Sequence, residues 1–129
     1  MPEEKKTRIM IVDDEVDFLD AMQYWLKVKG FEVETFSSGK EALKAIKKNP
    51  PTLIFLDIVM PEVDGIEVLR EIRKFNKDLS VIMITAHSTP QRIQDAEDLG
   101  VVGYFMKADD FKQAAELIQR ALQTFKRLE

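Results

Sequence analysis

The sequence predicts a doubly wound α/β sandwich, and three observations predict it. Four short apolar runs, Arg8 to Val12, Leu53 to Leu56, Val81 to Thr85 and Val102 to Met106, recur with helically patterned segments between them. These runs are continuous rather than alternating, as expected of parallel strands covered on both faces by crossover helices. The chain has 129 residues, 45% hydrophobic and 33% charged, which suits one domain able to bury about two-thirds of its unfolded surface.

Residues 1–7 read as a polar tail and 8–129 as one domain. After the first strand, Glu15 to Lys29 carries Val16, Leu19, Met22 and Leu26 at helical spacing and stops before Gly30. Phe31 to Phe36 alternates Phe31, Val33 and Thr35 with Glu32 and Glu34, the pattern of an edge strand with one wetter face. Ser38 can cap a second helix with Ala42, Leu43 and Ile46 inward, ended by Asn49-Pro50-Pro51, and Ile66, Leu69 and Ile72 mark a third. Thr89-Pro90 starts a fourth, anchored only by Ile93, Ala96 and Leu99 before Gly100. Phe111, Ala114, Ala115, Ile118, Ala121, Leu122 and Phe125 trace the strongest apolar stripe, on a fifth. Five strands thus alternate with five helices. The crossovers should be right-handed, and ligands should bind beyond the carboxyl ends of the strands.

Composition narrows the function. The absence of Cys excludes a disulfide scaffold, a thiolate metal site and thiol catalysis, and it agrees with a reducing, cytoplasmic setting. The N-terminus has no signal-peptide stretch, and the most apolar segment, Thr52 to Pro61, is interrupted by Asp57 and is about half the length a bilayer needs, so no membrane partner is expected. With 19 Lys+Arg against 23 Asp+Glu, the net charge is 19 − 23 = −4. That balance argues against direct binding to nucleic acid, which relies on basic side chains neutralising phosphates.

The predicted strand ends gather a distinctive set: Asp13 and Asp14 after the first, Asp57 after the third, Thr85 at the end of the fourth and Lys107 after the fifth. Unit negative charges at ~5 Å and an effective dielectric of ~20 repel by about 3 kcal/mol per pair. A divalent cation would offset this, and all-oxygen ligands favour a hard ion such as Mg²⁺. Asp13 or Asp14 could instead cap the first helix, Thr85 could be an ordinary strand residue, Lys107 a surface charge and Tyr104 a core aromatic. Together, however, they supply an oxygen nucleophile, a cation site, a hydroxyl donor and a fixed positive charge, the parts of a phosphoryl-transfer centre.

In IMIVDDE (9–15), FLDIVMPEVDG (55–65), VIMITA (81–86) and GYFMK (103–107) the chain resembles the receiver domain of two-component response regulators over essentially its whole length. The resemblance implies a flavodoxin-like (βα)5 fold with strand order 2-1-3-4-5. It implies that Asp57 is the phosphoacceptor for a sensor histidine kinase or a His phosphotransfer protein. It also implies that Asp14 and Asp57 ligate Mg²⁺ directly with the backbone carbonyl of Val59, that Asp13 acts mainly through water, and that Lys107 holds a phosphoryl oxygen. Thr85 is similar to the family's switch hydroxyl and Tyr104 to its switch aromatic. The implied readout is a surface made by the fourth helix, fifth strand and fifth helix, used for an effector, an output domain or a phosphorylation-dependent homodimer. Such a protein is a signalling module that promotes its own phosphorylation and slow hydrolysis, not a metabolic enzyme.

Lys107 is followed by Ala108 where the family usually has proline, so the peptide bond is either cis or trans, a trans bond requiring the lysine to reach the site by another path. Val59 and His87 flank the reaction centre where the family modulates loss of the phosphoryl group. Two rival classes fit less well. A haloacid dehalogenase-type phosphatase would carry D-x-D after the first strand and usually a cap, and a flavodoxin-like cofactor binder would need a phosphate-cradling loop where Asp13-Asp14-Glu15 stand.

Overall fold

The first apolar run becomes the central strand because both of its faces are apolar. In β1 (Arg8–Val12), Met10 and Val12 join one core while Ile9 and Ile11 join the other, all at most 1% exposed. The structure is a computed structural model that describes residues 7–86 and 89–128, with side chains as far as Gln123. Most of the polar tail and the apolar role of Phe125 therefore lie outside the described residues.

Strands and helices alternate as α1 (Val16–Val28), β2 (Glu32–Phe36), α2 (Gly39–Lys48), β3 (Leu53–Asp57), α3 (Gly65–Phe75), β4 (Ser80–Thr85), α4 (Pro90–Asp98), β5 (Gly103–Met106) and α5 (Phe111–Leu128). The sheet is parallel throughout in the order β2-β1-β3-β4-β5. Residues of α2, α3 and α4 cover one face, packing Ala42, Ile46, Val68, Leu69, Ile72 and Ala96 against the even-numbered β1 positions. Residues of α1 and α5 cover the other, through Leu19, Met22, Leu26, Ala114, Leu117 and Ile118. A slip of one residue in any central strand would exchange the two cores, so the register is strongly specified. The alternating segment is indeed an edge strand, with Glu32 and Glu34 exposed and Val33 half-buried.

Helix ends follow the turn chemistry of the sequence. The Ser38 and Thr89 hydroxyls cap α2 and α4 by accepting from Glu41 N and Arg92 N, and Asp64 caps α3 by accepting from Ile66 N. Gly30 and Gly100 follow α1 and α4 at φ +97° and +76°, the left-handed conformation that glycine adopts without a Cβ penalty. Neither acid after β1 caps α1, whose N-cap residue is Glu15.

One apolar feature goes beyond periodicity. Phe105 on β5 is fully buried, stacks on Phe111 at 6.0 Å and meets Phe55 edge-on at 6.3 Å. Such aromatic pairs add to the large area each ring buries. Phe105→Ala is expected to cost about 3 to 5 kcal/mol, measured as a lower urea midpoint with unchanged slope.

Candidate functional site

The sheet register builds the site. Val12 is paired with Leu56, so the next residues, Asp13 and Asp57, leave adjacent strands side by side. Asp57 is itself paired with Ile84, which puts Thr85 one step further along the neighbouring strand, and Thr85 pairs with Met106, just before Lys107. Ladder bonds continue past the strands: Asp13 N donates to Phe36 O at 3.1 Å and Lys107 N to Thr85 O at 2.9 Å.

Asp13, Asp14 and Asp57 each offer a carboxylate oxygen within 4.8 Å of the others'. Asp13 and Asp57 are buried, at 0% and 4% exposure, and Asp14 is open to solvent. Asp57 Oδ1 accepts from Val59 N at 3.2 Å, while Asp57 Oδ2 lies 3.7 Å from Lys107 Nζ. Asp13 Oδ1 accepts from Glu15 N at 2.9 Å and from Lys107 Nζ at 3.2 Å. Asp13 Oδ2 lies 3.0 Å from the same ammonium, but without hydrogen-bond alignment, and it has no other partner among the described residues.

One ammonium therefore faces a crowd of carboxylates. Burial lowers the proton affinity of Lys107, but hydrogen bonds to Glu15 and Asp13 and the charges of Asp57 and Asp13 outweigh it, and the net shift is upward. Lys107 also lies 5.2 Å from the centre of the Phe18 ring. Asp57 moves upward too, to about 7, through burial first and the Asp13 charge second, with Lys107 and the Val59 amide only partly opposing. An all-oxygen donor set, two buried carboxylates and an unaligned Asp13 oxygen fit a hard divalent cation.

The remaining residues named from sequence fall around this centre. Thr85 is 4% exposed, and its hydroxyl has no hydrogen-bond partner among the described residues. Tyr104 is half-buried; its hydroxyl donates to the Ile93 carbonyl of α4 at 2.8 Å, and burial followed by the nearby Glu97 charge pushes its pKa up to about 12. The Val59 side chain is 59% exposed. The peptide after Lys107 is trans, and a turn in which Asp109 N bonds Met106 O still delivers the lysine to the acids. His87 lies outside the described residues.

Three further contributors were not singled out from sequence. Glu15 pairs with Lys107, and it was visible there only as the third acid of a run. Gly65 lies so close to β3 that a Cβ would stand 1.8 Å from the Asp57 carbonyl oxygen, so no other residue fits without displacing the strand end. Arg92 of α4 reaches the β3–α3 loop, pairing with Asp64 and donating to Ile58 O at 3.1 Å.

The raised Asp57 pKa fixes the sign of a pH effect. The folded state retains a proton that the unfolded state releases near the ordinary aspartate value of 3.8, so this stabilisation is complete below about pH 4 and is lost as pH rises through 7. In chelator-treated protein, Asp57→Asn should therefore gain on the parent by about 2 kcal/mol between pH 5 and pH 8, measured by urea unfolding.

The family described as the response regulator receiver domain matches residues 9–122. The chain is 38% identical over 104 residues to the alkaline phosphatase synthesis transcriptional regulatory protein PhoP of Bacillus subtilis, covering 81% of this chain and 40% of that protein. It is 31% identical over 114 residues to the transcriptional regulatory protein ZraR of Escherichia coli, covering 88% of this chain and 26% of that one. It thus spans less than half the length of these curated relatives. Among solved structures, a CheY-like receiver domain protein from Methanospirillum hungatei matches with a TM-score of 0.90 at 27% identity, covering 95% of this chain and 99% of that one. The receiver domain of NtrX from Brucella abortus matches with a TM-score of 0.84 at 34% identity, covering 90% and 98%. With β2 to β5, all of β1 but Arg8 and the whole acidic centre inside the matched region, the chain belongs to the response regulator receiver domain family.

Proposed function

We propose that the protein is a phosphorylation-dependent signalling switch in which Asp57 accepts a phosphoryl group from the phosphohistidine of a sensor histidine kinase or a His phosphotransfer protein. An Asp57 oxygen forms the new bond to phosphorus as the phosphorus–nitrogen bond of the donor breaks, and that electron pair stays on the imidazole. The product is an acyl phosphate. The observation that carries this reading is the gathering of Asp13, Asp14 and Asp57, each offering a carboxylate oxygen within 4.8 Å of the others', beside Lys107 and a buried Thr85 hydroxyl with no hydrogen-bond partner among the described residues.

Asp14, Asp57 and the Val59 carbonyl would hold Mg²⁺ directly, with Asp13 acting through water. When bound, the ion supplies charge neutralisation and in-line alignment for the transfer. Lys107 contributes a fixed positive charge toward another phosphoryl oxygen. The Thr85 hydroxyl supplies a donor for the new dianion. As that hydroxyl moves, Tyr104 turns inward and gives up its bond to Ile93, which couples the acyl phosphate to α4. The altered face of α4, β5 and α5, where Met106 is 41% exposed, then meets an effector, an output domain or a second copy of the chain.

Acetyl phosphate labelling with and without Mg²⁺ tests the chemistry: the parent should label only with Mg²⁺ and Asp57→Asn not at all, whereas persistent labelling of the variant would place the acceptor elsewhere. Beryllofluoride with Mg²⁺ should shift backbone NMR resonances across α4, β5 and α5 in the parent. Thr85→Ala should remove those shifts from β5 and α5, and an unchanged pattern in that variant would remove Thr85 from the relay.

A further inference from the structure

The contact made by Arg92 lies outside the phosphoacceptor chemistry, yet it reaches the same peptide group. The Ile58–Val59 peptide lies immediately beyond Asp57. Its N–H, on Val59, donates to Asp57 Oδ1 at 3.2 Å. Its carbonyl, on Ile58, accepts from Gly65 N at 2.9 Å and from Arg92 Nη2 at 3.1 Å. The same Arg92 nitrogen pairs with Asp64, whose other oxygen caps α3 by accepting from Ile66 N at 2.7 Å. A side chain from the first turn of α4 thus clamps the peptide that orients the acceptor carboxylate.

We propose that Arg92 is a positioning residue for the acceptor site, fixing the Ile58–Val59 peptide and, through its N–H, the Asp57 carboxylate; this rests on the switch reading above. The clamp joins the site to α4 by a route separate from Thr85 and Tyr104. Coupling of this kind is reciprocal: a displacement of the first turn of α4 loosens the peptide, and occupation of the acidic centre biases the position of that turn. Because both polar contacts come from one nitrogen, a lysine ammonium can remake them, whereas the shorter, neutral glutamine amide cannot supply the charge facing Asp64.

Arg92→Gln and Arg92→Lys separate these possibilities through two measurements. In metal-free protein, Arg92→Gln should speed hydrogen exchange of the Val59 and Gly65 amides by about fivefold or more while α5 amides keep their protection. It should also raise the Mg²⁺ concentration for half-maximal acetyl phosphate labelling by about 10-fold with the final extent unchanged, and Arg92→Lys should stay within about twofold of the parent. The proposal is overturned if Arg92→Gln leaves both measurements unchanged, or if Arg92→Lys is as impaired as Arg92→Gln. Failure of the parent to label would overturn the switch reading instead, with the exchange measurement still deciding the clamp. Should Arg92→Gln not fold, Asp64→Asn keeps a capping oxygen on α3 and removes only the charge facing Arg92, and both measurements should move in the same direction.

Discussion

Everything at the carboxyl edge of the sheet answers to the mutual repulsion of acids that the fold itself brings together. Asp13 and Asp57 are forced side by side because their strands are hydrogen-bonded in register, and both are buried. Lys107 faces Asp13, Glu15 and Asp57 together, and burial of Asp57 first, then the Asp13 charge, outweighs its help, which is why that carboxyl holds its proton to near neutrality. An arrangement that costs stability when left alone gives a cation or a transferred phosphoryl group the strong differential contacts that a switch requires.

The two cores hold that tension in place. Both faces of β1, β3 and β4 are covered, so the strands cannot slide apart to relieve the charge without exchanging or exposing apolar side chains. The β3–α3 loop is equally constrained: Gly65 packs against the Asp57 carbonyl, and a tight turn with Glu62 at φ +68° and a Val63 N to Pro61 O bond of 2.8 Å follows β3. A backbone conformation that a non-glycine residue rarely adopts persists there because its surroundings determine it.

Much of this was legible in the sequence, and for identifiable reasons. Uninterrupted runs such as LIFL announce strands with two dry faces, and polar residues at their ends stand out against them. The position of the acids follows from there, and the strand order from the resemblance of the motifs. Long-range polar contacts were not legible. Nothing local to Glu15, Arg73 or Arg92 shows that Glu15 meets a lysine 92 positions away, that Arg92 reaches back to Ile58, or that Arg73 donates to the carbonyls of Asn76, Leu79, Leu99 and Gly100. The same blindness affected α4. Its thin apolar pattern was read correctly, with Ala96 its sole buried side chain, but that pattern concealed how firmly side chains from α3 and β5 hold it.

That mode of attachment sets the thermodynamic character of the helix. A segment fastened chiefly by bonds from side chains to carbonyls, rather than by interdigitated hydrocarbon, can leave its seat while wetting little oily surface. Any displacement of it would therefore carry a small heat-capacity change and depend only gently on temperature. The two sheet cores, rich in Ile, Leu, Val and Phe, have the opposite character, so α4 can shift without drawing on the reserves that keep the domain folded.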